Sequence, residues 1–156
     1  MLKTVARKTV RRSGGRFAIV ASQYNARFVD SMVQAARAEL RRAGASQVDE
    51  IRVPGAYEIP LIASRLAGKK ARKPVSAIIC LGVIIRGETA HAAHIGEAVS
   101  RALMEIQLRY QVPVIHEVLL LENEAQAHAR CLDPKHNRGT EAAQTALAMA
   151  EVMARL

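Results

Sequence analysis

The strongest constraint on this fold is a continuous apolar run at residues 77–85, which reads Ala-Ile-Ile-Cys-Leu-Gly-Val-Ile-Ile. A strand that faces solvent on one side alternates apolar and polar residues, whereas a strand covered on both sides is apolar throughout. Burial on both faces is typical of parallel sheets, because their crossover helices cover both surfaces of the sheet. The run therefore predicts a buried strand of a parallel sheet.

The rest of the chain alternates between short apolar runs and segments with helical spacing. Further strands are predicted at 17–21, 48–53 and 112–121, and helices at 26–42, 58–67, 90–110, 122–131 and 141–155. The side chain of Asn25 is expected to cap the first helix, and 133–139 is expected to be a loop.

This alternation with short connections predicts an α/β fold. We expect a single-domain, three-layer α/β/α structure with a parallel four-stranded sheet in the flavodoxin-like order 2-1-3-4. The domain is placed at 16–156, after a basic N-terminal arm at 1–15.

The formal net charge of +9 is concentrated in two basic runs, at 3–16 and 69–73. Basic tails bind nucleic acid by neutralising phosphates, but neither run is interleaved with aromatic side chains for base stacking. A solvated tail and a basic loop explain the runs equally well, so nucleic acid is not the expected partner. A positive field would also favour an anionic small substrate.

Cys80 lies in an apolar run, and it is far from Cys131, which suggests small buried side chains in a reducing compartment. No apolar stretch approaches the roughly 20 residues of a membrane span, and no secretory signal follows the N-terminus. A cytoplasmic location without membrane contact is therefore expected.

A doubly wound sheet binds its ligands outside the carboxyl ends of its strands, which directs attention to the turns at 22–26, 54–58, 86–91 and 121–124. In the turn at 86–91, Gly87 permits an unusual backbone conformation and close approach of a ligand. The amides that follow open a helix and attract anions. Thr89 offers a hydroxyl, and His91 is placed to move protons. A capped helix with an exposed histidine is the alternative, and spacing alone does not decide between the two.

Three potential metal ligands, His91, His94 and Glu97, follow at intervals of three residues. Each interval turns the helix by about 300°, so the three side chains drift over roughly 120°. A single ion would fit such a set poorly, and no metal site is expected. His94 is interpreted as a surface or interface residue.

Other turns hold weaker signals. Two prolines bracket the bend at 54–60, which is more simply structural punctuation, and Tyr24 beside Asn25 offers a platform for a flat heterocycle. Arg130 and Arg138 could each bind a phosphate, although a cation at a helix end needs no function.

Together these segments resemble one family, the 6,7-dimethyl-8-ribityllumazine synthases of riboflavin biosynthesis. The similar stretches are VPGAYEIP at 53–60, GVIIRGETAH at 82–91, VPV at 112–114, ENEAQAHAR at 122–130 and HNRGTEAA at 136–143. The resemblance runs in one register from about residue 16 to the C-terminus.

The resemblance implies a transferase that condenses 5-amino-6-(D-ribitylamino)uracil with 3,4-dihydroxy-2-butanone 4-phosphate, without metal or cofactor. By resemblance, His91 would be the catalytic proton carrier. The pyrimidine and its ribityl chain would contact Tyr24, Ala56, Tyr57, Glu58, Val83, Ile84, Ile85 and His116. The phosphate would contact Glu88, Thr89 and Arg130.

The resemblance also implies self-association into pentamers with shared active sites, as a single pentamer, a decamer or a shell of sixty subunits, with riboflavin synthase as a candidate partner. His116 and Arg138 would then face a neighbouring subunit. This chain departs from the family pattern at both: His116 stands in place of a Phe and Arg138 in place of a Lys. Glu117 also replaces a Gly. These changes keep a second hypothesis open, a non-catalytic shell protein that binds flavin or lumazine.

Overall fold

A computed structural model describes residues 4, 14–70 and 72–156 of the 156-residue chain. Most of the predicted basic arm at 1–15 lies outside the described residues, so its boundary stays a prediction.

The elements follow the predicted alternation of strands and helices. The strands are β1 (Arg16–Ser22), β2 (Gln47–Val53), β3 (Ala77–Ile85) and β4 (Val114–Leu121). The helices are α1 (Ala26–Arg42), α2 (Ile59–Gly68), α3 (His91–Tyr110), α4 (Glu124–Ala127) and α5 (Arg138–Arg155). A 3₁₀ turn at Ala56–Glu58 precedes α2, and a π-helical turn at His128–Leu132 follows α4.

The four strands form one parallel sheet in the order β2-β1-β3-β4, which confirms the predicted fold. Residues along β3 point alternately into two apolar layers. Ile79 and Leu81 join the layer that contains α1 and α5, whereas Ile78 and Cys80 join the layer that contains α2 and α3. Burial on both faces explains why this strand contains no polar side chain.

The start of α1 corrects one prediction. Asn25 precedes the helix in the left-handed region, at φ 57°, and within the described chain its side chain makes no capping hydrogen bond. Its side-chain amide instead donates to the carbonyl of Val83, 2.8 Å away. Asn tolerates the left-handed conformation better than most residues, so it suits a sharp turn that links two strand ends.

The start of α5 corrects another. The predicted loop at 133–139 ends at Asn137, whose side-chain oxygen accepts the amide of Gly139 at 2.9 Å. Because this Asn acts as an N-cap, the helix begins at Arg138 rather than at Glu141. Gly139 lies in the first turn and packs against the backbone of α1 at Met32.

Strand β4 begins two residues later than predicted, at Val114. Pro113 has no amide to give to a ladder, but its carbonyl accepts the amide of Ile78 at 2.8 Å. Among the described residues, no helix is long and apolar enough to cross a membrane.

The contact between α1 and α5 depends on the missing side chain of Gly139. A Cβ at this position would lie 2.0 Å from the carbonyl oxygen of Met32. This oxygen belongs to the backbone of α1, so the clash could be relieved only by moving one of the two helices. We expect Gly139→Ala to lower the free energy of unfolding by about 3 kcal/mol or more, measured by urea denaturation.

Gly96 within α3 is the matched control. A Cβ there would meet Leu120 at an ordinary 3.6 Å, so Gly96→Ala should raise stability by about 0.5–1 kcal/mol through the helix propensity of Ala. Equal effects of the two substitutions would contradict this account of the α1–α5 contact.

Candidate functional site

A cavity of about 890 Å³ opens at the carboxyl ends of β1 and β3. It lies where the strand order reverses, because β2 and β3 flank β1 on opposite sides. Five segments supply its wall: the loop after β1, the 3₁₀ turn after β2, the end of β3, the loop after β3 and the first turns of α3. The lining residues are Tyr24, Asn25, Gly55, Ala56, Tyr57, Glu58, Val83, Ile84, Ile85, Gly87, Thr89, His91, Ala92, His94, Ile95 and Ala98.

Backbone hydrogen bonds hold the first two segments together. The amide of Gln23 donates to the carbonyl of Val53 at 2.8 Å, and the amide of Tyr24 donates to Pro54 at 3.0 Å. The bond from Asn25 to Val83 then ties the same loop to β3. Hydrogen bonds to the ends of β2 and β3 therefore fix this part of the cavity wall, in addition to side-chain packing.

The 3₁₀ turn presents backbone groups and an aromatic ring to the cavity. Its Glu58 carboxylate accepts the amide of Gly55 at 2.9 Å, which closes the turn on itself. Tyr57 is 64% exposed and Tyr24 is 74% exposed, although both line the cavity. Two large aromatic side chains held at a pocket mouth are suited to contact a flat ligand.

The opening of α3 provides the polar end of the cavity. The first amides of a helix have no helical carbonyl to which they can donate, so they attract anions. Thr89 turns its hydroxyl back towards the amide of His91, at a long 3.4 Å. The imidazole of His91, in the first turn, faces the same cavity.

Gly87 differs from the prediction in one respect. The positive φ angles among described glycines occur at Gly14, Gly15 and Gly44, so Gly87 does not adopt the unusual conformation expected of it. A Cβ at Gly87 would meet no described atom within 4 Å. The described chain therefore shows no steric need for a glycine here, and close approach of a ligand stays a prediction.

Sequence reasoning missed one side of the cavity. His94, interpreted from the sequence as a surface or interface residue, is exposed and lines the cavity with His91, Ile95 and Ala98. The spacing of three, four and seven residues was visible, but this spacing marks any shared helix face. The sequence could not reveal that this face continues past the core into an open pocket.

Four predicted site residues lie outside this wall: Glu88, His116, Arg130 and Arg138. Arg138 instead meets Glu117 of β4, at 3.2 Å from Nε and 3.3 Å from Nη2, and its Nη1 donates to Glu141 at 2.6 Å. Arg130 also attracts the Glu117 carboxylate. These arginines therefore gather on the α5 face of β4.

Glu117 is a buried carboxylate, 7% exposed. Burial raises the pKa of Glu117 above its usual value, while the positive charges of Arg138 and Arg130 oppose that rise. The bidentate contact satisfies both carboxylate oxygens, as a buried charge requires.

His116 lies on the opposite face of β4 and contacts α3. Its Nδ1 accepts the amide of Val118 at 3.2 Å, so Nδ1 has no proton. Its Nε2 lies 2.8 Å from the hydroxyl of Ser100, which donates its own hydrogen to the carbonyl of Gly96 at 2.7 Å. Nε2 must therefore donate, and the ring is the neutral Nε2–H tautomer. Desolvation lowers the pKa of His116, which favours the same neutral form.

Among residues 14–70 and 72–156, no group of three or more His, Cys, Asp or Glu side chains is arranged to hold a metal ion.

A sequence profile of the 6,7-dimethyl-8-ribityllumazine synthase family matches residues 14–154. A 6,7-dimethyl-8-ribityllumazine synthase from Stenotrophomonas maltophilia is 43% identical over 143 residues, which cover 90% of this chain and 90% of the relative. Another from Xanthomonas euvesicatoria pv. vesicatoria is 41% identical over 146 residues, covering 92% and 93%. The chain belongs to the 6,7-dimethyl-8-ribityllumazine synthase family.

Family membership confirms the resemblance expected from the motifs at 53–60 and 82–91. Both motifs lie in this cavity, so the segments that identify the lumazine synthase family also build the site. A de novo designed Rossmann fold protein is 17% identical with a TM-score of 0.38 over 81% of this chain, a likeness too low to bear on the fold.

The hydrogen bonds of His116 predict a stability that depends on pH. Because the pKa of His116 is lowered in the folded state, the unfolded chain binds more protons just below the ordinary histidine pKa of about 6.5. Stability should therefore fall as the pH drops from about 6.5 through the lowered pKa. We expect His116→Gln, which does not titrate, to lose less free energy of unfolding between pH 7 and pH 5, as measured by urea denaturation.

The variant differs from the native chain at this one position, so all other groups contribute equally to both stability curves. Stability curves that remain parallel from pH 7 to pH 5 would contradict the neutral, hydrogen-bonded state of His116.

Proposed function

We propose that this chain catalyses the condensation of 5-amino-6-(D-ribitylamino)uracil with 3,4-dihydroxy-2-butanone 4-phosphate to 6,7-dimethyl-8-ribityllumazine, releasing phosphate and water. The observation that carries the proposal is that the two family motifs, far apart in sequence, line one cavity with a helix opening and an imidazole. A site for these two substrates needs an aromatic end for the pyrimidine and an anion-binding end for the phosphate, and this cavity offers both.

The pyrimidine and ribityl chain would occupy the end formed by β1, β3 and the 3₁₀ turn. Tyr24 is proposed to stack on the ring, and the strand-end backbone of Val83, Ile84 and Ile85 to lie beneath it. Ala56, Tyr57 and Glu58 would contact the ribityl chain. The backbone of this wall is held by the bonds between Gln23 and Val53 and between Asn25 and Val83.

The phosphate would lie at the opening of α3, at the amides near Glu88 and the hydroxyl of Thr89. Glu88 is not among the lining residues, so its contribution would come from its backbone rather than its carboxylate. No Lys or Arg appears in the described cavity wall. A dianionic group held there by one chain would have helix amides and imidazoles but no guanidinium partner.

His91 is proposed to carry protons while the imine forms, phosphate leaves and the ring closes. It is the first residue of α3, so it lies at the helix opening proposed for the phosphate, and it lines the same cavity as the residues proposed for the pyrimidine. Much of the acceleration would come from holding the two substrates in reactive orientation, because orientation alone lowers barriers by several kcal/mol.

The lack of a Lys or Arg side chain in the described cavity wall supports self-association into pentamers with shared sites. Arg130 lies outside the wall of its own chain's cavity, so it is proposed to clamp the phosphate in the cavity of a neighbour. Exposed apolar side chains on α2 and α3, at Leu61, Met104 and Leu108, suit burial between subunits. His116 would contact the neighbour's pyrimidine site as a neutral ring. Riboflavin synthase remains the candidate partner of the assembly.

Arg138, expected by resemblance to face a neighbouring subunit, is proposed to have a supporting role instead. Its guanidinium is engaged by Glu117 and Glu141, so it would support Arg130 by fixing this face of β4 rather than contact substrate. We also propose a cytoplasmic location, which suits two buried thiols, at Cys80 and Cys131.

The reaction should depend on both His91 and Arg130. We expect His91→Ala to lower kcat on the order of 10²-fold, towards the uncatalysed rate, with KM little changed. Arg130→Ala should instead raise KM for the phosphorylated substrate, because it removes a charged phosphate contact. Lumazine absorbance and phosphate release, each corrected for the reaction without enzyme, measure both effects, and His128→Gln outside the cavity is the control.

Mixing the two variants tests the shared site. Chains carrying His91→Ala and chains carrying Arg130→Ala should form hybrid sites with both native residues, and recover about a quarter of the native activity when expressed together in equal amounts. Activity equal to the average of the separate variants would place both residues in one chain's site. Ligand binding by the native protein without phosphate release would overturn the proposed reaction in favour of a non-catalytic binding protein.

A further inference from the structure

The cavity contains a second imidazole, that of His94, to which the proposed reaction assigns no role. His94 follows His91 by one turn of α3, and both line the cavity. Three residues of helix advance about 4.5 Å along the axis, so His94 lies farther from the helix opening than His91 does. Ile95 and Ala98 continue the same wall, and Ile95 also packs against the core, so this helix face borders both the cavity and the core.

The surroundings of His94 leave its ring available. The titratable side chains that share the cavity are Tyr24, Tyr57, Glu58 and His91. Glu58 already accepts the amide of its own turn. On α3, the next acidic residue, Glu97, pairs with Arg101 at 2.5 Å. Among the described residues neither His91 nor His94 has a hydrogen-bond or ion-pair partner for its ring.

The condensation calls for proton transfer at more than one place, and this step rests on the proposed function. As the 5-amino nitrogen bonds to the ketone carbon, the nitrogen loses two protons in total and the carbonyl oxygen leaves as water with both of them. The next carbon then loses a proton as the terminal carbon loses its C–O bond to phosphate, and the resulting enol becomes the second carbonyl when its hydroxyl proton moves to the terminal carbon. An imidazole at the helix opening lies nearest the phosphate-bearing carbon, whereas an imidazole one helical turn farther along α3 lies farther from it.

We propose that His94 is a second catalytic residue, which transfers protons at the pyrimidine end while His91 acts at the phosphate end. His94 accepts a proton from the attacking amine and returns it to the departing hydroxyl. When the ring closes, His94 takes the single proton of the ribityl-bearing nitrogen and passes it to the second carbonyl oxygen, which leaves as water with a second proton that ring nitrogen N1 of the pyrimidine gives up. The pair divides the work of acid and base between two imidazoles on one helix face.

The test compares His94→Gln with the native protein in the two-substrate assay across pH 5.5–9. We expect kcat to fall on the order of 10-fold to 10²-fold with little change in KM for the phosphorylated substrate, and one limb of the kcat profile to disappear. Added imidazole should restore much of the activity of His94→Ala, because a free imidazole can enter the space left in the cavity wall. His128→Gln with the same imidazole additions is the matched control.

A kcat within twofold of native for His94→Gln, with an unchanged pH profile, would overturn the role of His94 while leaving the proposed reaction intact. A loss of activity in His94→Ala that imidazole does not restore, with an unchanged pH profile in His94→Gln, would assign His94 a structural role only. A native protein that forms no lumazine would overturn both proposals together. The thermal unfolding midpoint of each variant, compared with that of the native protein, verifies that substitution of the exposed His94 leaves the fold intact.

Discussion

The parallel pairing of β1 with β2 on one side and β3 on the other is the constraint on which the rest of the structure depends. It brings three strand ends to one edge of the sheet, and the chain that leaves each strand must turn there. The hydrogen bonds from Tyr24 to Pro54 and from Asn25 to Val83 cross between those turns. The cavity is therefore a consequence of strand order. Its polar side chains belong to the turns that follow the strands and to the first turns of α3.

The sequence predicted the parts of the fold in which local and tertiary preferences agree. The run at 77–85 was predicted to the residue, because nothing polar interrupts it before Arg86. Its ends needed no information from the rest of the molecule. The helix starts were less predictable. Asn25 is a residue type that often caps helices, but its side chain donates to Val83 of β3. Asn137 was predicted to lie in a loop, but its side chain caps α5. The two residues differ because Asn25 has a distant partner, Val83, whereas the capping partner of Asn137 is Gly139, two residues ahead.

The site follows the same division. Residues in the strand-to-helix turns, such as Tyr57 and His91, were predictable because the fold class alone directs attention to those turns. His94 was not, since apolar neighbours at helical spacing indicate a buried face whether or not that face ends in a pocket. Arg130 was a candidate for phosphate binding from its charge as well as by resemblance, whereas His116 was expected near substrate only by resemblance. Their positions outside one chain's cavity make physical sense if the complete site takes groups from two chains.

Strand β4 shows how unusual residues are accommodated. Glu117 and His116 are neighbours in sequence but point to opposite faces of the sheet, and each meets partners that match its chemistry. The carboxylate is held by Arg138, and the imidazole is held as one tautomer by Ser100 and Val118. Both side chains are thus held by hydrogen bonds within this chain.

The most direct test of the central claim is a crystal structure with 5-amino-6-(D-ribitylamino)uracil and inorganic phosphate, a pair that cannot react. The account predicts the pyrimidine beside Tyr24 and the phosphate at the opening of α3, with Arg130 of a neighbouring subunit against it. Density for the ligands in another place, such as the groove of about 470 Å³ between α1 and β2, would contradict it.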